Sequence, residues 1–84
     1  MTWRPTLHRA AVLRHDPVRD TDLLLVPERV VVLRGSAGAV LRLCDGGLDL
    51  DEIVAALGDR FPGAPVDSEV PRFLWALRKE GWLL

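Results

Sequence analysis

Apolar residues change their spacing near the middle of this chain. Before residue 35 they come in short runs. Ala11-Val12-Leu13-Arg14-His15-Asp16 alternates imperfectly, whereas Leu23–Val26 and Val30–Leu33 are uniformly apolar. The segment Pro17–Thr21 is polar enough for a hairpin connection, and Pro27-Glu28-Arg29 reads as a second turn. Runs of this length, rich in β-branched and aliphatic residues and separated by turn signals, predict an antiparallel meander of three strands.

Beyond Ser36 the period becomes helical. Ala37, Val40, Leu41 and Cys44 fall at i, i+3, i+4 and i+7, which makes one face of a helix. Ser36 is a candidate N-cap and Gly46 a stop. Asp49 with Glu52 resembles a capping box, and Leu50, Ile53, Val54 and Leu57 repeat the apolar spacing. Phe61-Pro62-Gly63-Ala64-Pro65 ends that helix in a loop. The third helix is expected to start at Ser68, with Asp67 the alternative cap. That choice places Pro71 in the first turn, where its missing N–H needs no partner. Val70, Phe73, Leu74 and Leu77 form its core stripe and Gly81 closes it. The predicted class is α+β: a winged helix-turn-helix, with a three-stranded antiparallel sheet followed by three helices, forming one domain over 1–84.

Composition narrows the function classes. With 84 residues and 49% hydrophobic content, the chain can bury a modest core without staples. Its single cysteine, Cys44, excludes an internal disulfide and favours a reducing, cytoplasmic setting. The opening MTWRPTLHRA has no apolar stretch of the kind a secretory signal needs, and no apolar run is long enough to span a bilayer. A net charge of −1 with both signs interspersed argues against nucleic acid as partner.

Candidate chemistry is sparse. His8, His15 and Cys44 lack metal-ligand spacing. Asp45, Asp49, Asp51 and Glu52 cluster, but helix capping and the helix dipole account for them. Gly46-Gly47 lacks the lysine of a phosphate loop, and Ser36 and Ser68 read as caps. The sequence therefore predicts no catalytic residue, no cofactor and no metal site.

Two features remain. On the third helix, Trp75 lies well off the apolar stripe, and a helical projection puts Pro71, Arg78 and Trp82 on its side. It either packs against the segment containing Trp3 or forms an aromatic anchor for a partner. Arg72 and Lys79 lie on another flank, either solvated or set to pair with acidic groups. Val30–Leu33 is either an interior strand or an edge whose unpaired backbone groups invite another strand.

Taken together, Leu24-Leu25-Val26-Pro27-Glu28-Arg29-Val30-Val31, Leu43-Cys44-Asp45-Gly46, Glu52-Ile53-Val54 and the terminal Gly81-Trp82-Leu83 resemble the PqqD family of pyrroloquinoline quinone (PQQ) biosynthesis. The resemblance runs from about Pro5 to Leu84. It departs at Arg34, where relatives often carry asparagine, and at Gly38, an unusual helix residue. It implies a small winged-helix fold called a RiPP recognition element, after ribosomally made, post-translationally modified peptides. It implies a non-enzymatic role: binding the precursor peptide PqqA and presenting it to the radical-SAM enzyme PqqE, which joins a glutamate to a tyrosine of the peptide. In such proteins the peptide adds a strand between the third strand and the third helix. Carried over, the peptide-binding residues are Arg29, Val30, Val31, Val32, Leu33 and Arg34, with Arg72, Phe73, Trp75, Ala76 and Lys79. Alternatives are the same module in another modified-peptide pathway, or a winged-helix DNA-binding protein. A homodimer through the apolar edge is a further expectation.

Overall fold

The computed structural model of the chain describes residues 3–84. Each apolar run becomes a strand: β1 (Val12–Asp16), β2 (Thr21–Val26) and β3 (Arg29–Leu33), antiparallel and in the order β1-β2-β3. The Asp16 carboxylate accepts from the backbone N–H groups of Val18 and Arg19, and Asp20 takes a φ of 50°, so the first turn is closed locally. Register sorts the side chains. Leu13, Leu24 and Val31 stand abreast on one face, and Val12, Leu25 and Val30 on the other. Leu24 is fully buried, and Val26 and Leu33 join it in the core.

Three helices follow: α1 (Ala37–Arg42), α2 (Leu50–Arg60) and α3 (Val66–Lys79). Strands then helices confirm the α+β class, in an order compatible with a winged helix-turn-helix. The capping box at α2 is present: Asp49 accepts from the Glu52 N–H at 2.9 Å, and Glu52 accepts from the Asp49 N–H at 3.0 Å. Ser36 precedes α1 but makes no side-chain cap bond. The expected start of α3 is corrected. The helix begins at Val66, so Pro71 lies inside it rather than in its first turn, and Ser68 turns its hydroxyl back to the Pro65 carbonyl. Pro71 thereby leaves the Asp67 carbonyl without its intrahelical donor. At the other end Gly81, at φ 88°, completes a Schellman closure: Trp82 N–H bonds to Leu77 C=O and Gly81 N–H to Arg78 C=O.

Leu24, Leu41, Ile53, Leu57 and Leu74 form the centre of the core. The N-terminal arm, residues 3–8, is extended and laced to distant parts of the chain. Leu7 N–H bonds to Cys44 C=O and His8 N–H to Trp82 C=O, while Leu84 N–H returns to Thr6 C=O. Among the described residues, no helix is long and apolar enough to cross a membrane.

Candidate functional site

β3 hydrogen-bonds to β2 along one side and, among the described residues, to no strand along the other. A strand of this kind leaves every second residue with its N–H and C=O pointing outward. α3 runs beside it in the opposite direction. Its first turns face the end of β3, where Val66, Glu69 and Phe73 share a cavity with Arg34. Its closing turn meets the start of β3, where the Arg29 guanidinium lies 5.0 Å from the centre of the Trp82 ring. The space between strand and helix, the groove that the resemblance implies, is clasped at the Arg29 end by the Trp82 contact and reaches the cavity at the Arg34 end.

The cavity at the Arg34 end has a volume of about 240 Å³. Ala37, Val40, Val66 and Phe73 supply apolar lining, and Arg34 and Glu69 add charged groups of opposite sign. Its size and lining suit one large aliphatic or aromatic side chain, whose burial stabilises by about 1.5–3 kcal/mol.

The structure separates the residues expected to bind together. Val31 and Leu33 point into the core face of the sheet. Val30 and Val32, 57% and 47% exposed, stand on the outer face beside Val12, Leu23 and Leu25. On α3, Phe73 lines the cavity and Ala76 lies about 60° around the helix from it. Arg72 and Lys79 project outward, about 100° and 120° from Phe73. Trp75 lies about 160° away. It stacks on Trp3, with ring centres 4.6 Å apart and planes inclined by 37°. The packing alternative for Trp75 is therefore the geometry present. Trp82 does not share its side. The positive φ of Gly81 breaks the helical projection and turns Trp82 into the core, beneath Arg29. Val66 escaped the sequence reading because the helix was started after it.

Comparison with known proteins now decides the family. The model for "Coenzyme PQQ synthesis protein D (PqqD)" matches residues 23–83. The chain belongs to the PqqD family. It is 40% identical over 80 residues to a PqqA binding protein of Pseudomonas paraeruginosa, covering 94% of this chain and 87% of that one. A PqqA binding protein of Azotobacter vinelandii is 36% identical over the same length. Among solved structures, the solution NMR structure of the PqqD truncation of Methylobacterium extorquens PqqCD aligns with a TM-score of 0.78 at 34% identity. That alignment covers 95% of this chain and 87% of the other, which is described as a functional, stand-alone RiPP recognition element.

Electrostatics in this PqqD-family chain hold the scaffold behind the groove. Asp22 on β2 receives His15 Nδ1 at 2.9 Å and the Arg42 guanidinium at 2.6 Å, which ties the hairpin to α1. These two bonds hold the Asp22 carboxyl below its ordinary value. Burial and the neighbouring charge of Asp45 push the Cys44 thiol up to about 12. Its Sγ–H donates to the Val40 carbonyl at 3.5 Å. A protonated, buried thiol is a packing group, not a nucleophile.

Proposed function

We propose that this chain acts as a single domain over 1–84 that binds the precursor peptide PqqA by strand addition and presents it to PqqE in the cytoplasm, without catalysing a reaction itself. The observation that carries this reading is the unpaired edge of β3 ending at an apolar cavity walled by α3. Relatives that bear the name PqqA binding protein support the choice of peptide. Backbone groups of Val30–Leu33 supply ladder bonds that any extended peptide can use, and the cavity between Arg34 and Phe73 selects which peptide. Arg34 and Glu69, which help line the cavity, offer opposite charges that orient the strand. The same edge can pair with a second copy when no peptide is present, giving a homodimer that peptide would dissociate.

Calorimetric titration of the chain with synthetic PqqA tests the proposal, with a scrambled peptide and duplex DNA as controls. Saturable binding of PqqA alone is expected. It should come with amide shifts in an NMR titration that concentrate on Arg29–Arg34 and Val66–Ala76. Equal binding of the scrambled peptide, or binding of DNA that falls steeply with salt, would sink it.

A further inference from the structure

A second surface lies on the far side of α3 from the groove. Trp75 is 50% exposed there. Arg78 spreads its guanidinium over two rings at once, 4.7 Å from the centre of Trp3 and 4.9 Å from that of Trp75. The Trp3 indole N–H donates to the Leu84 carbonyl at 2.7 Å, which fixes the orientation of the stack. From Val70 to Lys79 the helix carries Arg72, Arg78 and Lys79 and no carboxylate. Among the described residues, none of these cations makes an ion pair.

Resting on the peptide-presenting role above, we propose that this face docks an acidic surface of the enzyme that receives the peptide. Tryptophan and arginine are the residue types that most often dominate binding energy at protein interfaces. A guanidinium already held against two rings loses little freedom when a carboxylate meets it. The cations are local, since the whole chain carries a net charge of −1, so the complement is an acidic patch rather than any polyanion. Trp75 and Arg78 lie about 160° and 140° around the helix from Phe73. The enzyme can therefore hold this face while the peptide stays in the groove.

The test measures binding of two probes, purified PqqE and synthetic PqqA, to the full chain and to two variants. One variant is Arg78→Glu, and the other is Trp75→Ala, with Trp75→Phe as its conservative partner. Affinity of the charge-reversed variant for PqqE is expected to fall at least tenfold, while its affinity for PqqA stays within twofold of the parent. Trp75→Phe should restore much of what Trp75→Ala loses. Binding of the parent to PqqE should weaken steeply with salt. Undiminished PqqE binding by the charge-reversed variant would overturn the proposal. So would a parallel loss of peptide affinity, which would place this face in the groove. Uptake of duplex DNA or of phosphatidylserine vesicles by the parent, lost in the variant, would assign the surface to another partner. If the parent binds PqqE but no PqqA, the groove reading fails while the docking face stands.

Discussion

A methyl group at position 38 has nowhere to go. A Cβ there would fall 2.7 Å from Asp22 Cβ and nearer still to the carboxylate that His15 and Arg42 hold in place. Gly58, in the last turn of α2, is the contrasting case, because a Cβ there would meet only Val66 Cγ2 at 3.6 Å. Alanine favours a helix interior over glycine by about 0.5–1 kcal/mol, while overpacking costs about 1–3 kcal/mol. Gly38→Ala should therefore destabilise by about 1–2 kcal/mol and Gly58→Ala should stabilise by about 0.5 kcal/mol, as read by urea denaturation. Two changes of the same sign would remove the collision as the reason for Gly38. The sequence marked Gly38 as odd for a helix but not why, since its neighbour across the fold, Asp22, is on another element. The same carboxylate makes a pH prediction. Its folded value lies below the ordinary 3.8, so its contribution is present above that value and is lost as pH falls through the folded value. Acid melts of the parent should lose stability below about pH 4, and Asp22→Asn should flatten that part of the curve. An unchanged acid limb in the variant would assign the loss to other carboxylates.

At the scale of elements, the strands were legible as short apolar runs bounded by turn signals, and the helices by the helical spacing of their apolar residues. Val30–Leu33 could not reveal by itself whether it was an edge, because edge or centre is a property of strand order. The outward direction of Val30 and Val32 was hidden for the same reason, since a uniformly apolar run carries no alternation to say which face is which. The start of α3 was misplaced because proline was taken as first-turn punctuation, whereas the helix accepts Pro71 further in. That shift concealed Val66, which helps line the cavity. A proline scan of β3 tests the edge directly. Along an edge strand, alternate N–H groups face the neighbour and the open side. Proline at Val30, Val31 and Val32 in turn should give alternating outcomes by circular dichroism and peptide titration. Where the N–H faces β2 the fold should fail, with a cost of about 3 kcal/mol. Where it faces outward the fold should hold and PqqA affinity should drop at least tenfold. Three folded variants that bind PqqA like the parent would mean that the peptide does not add at this edge.

For the whole molecule, the arm decides how the ends of the chain close. Residues 3–8 reach the α1–α2 connection and the C-terminus through backbone bonds to Cys44, Gly46, Leu50, Trp82 and Leu84. Nothing in the period of the sequence announced this, because the arm is neither helix nor regular strand and its partners lie far along the chain. Its rigidity matters for both proposed surfaces: Trp3 supports Trp75 and Arg78, and His8 holds Trp82 where Arg29 can reach it. Cys44 provides a reporter, because Leu7 bonds to its carbonyl and the thiol is 3% exposed. With the thiol pushed to about 12, iodoacetamide at pH 8 should label it only through opening of the structure. Folding holds this group protonated. Its contribution is therefore full below the ordinary 9.0 and declines as pH rises from there towards 12. Deleting residues 1–8 should cost about 2–4 kcal/mol of stability, the scale of a large-to-small core change. Since each 1.4 kcal/mol is tenfold in an opening equilibrium, labelling should then run on the order of 100-fold faster. It should also weaken enzyme docking more than peptide binding, since Trp3 stacks in the one surface and only the clasped end of the groove depends on the arm. A truncated chain that labels as slowly as the parent would show that the arm is a passenger, and that Cys44 owes its burial to α1 and the sheet alone.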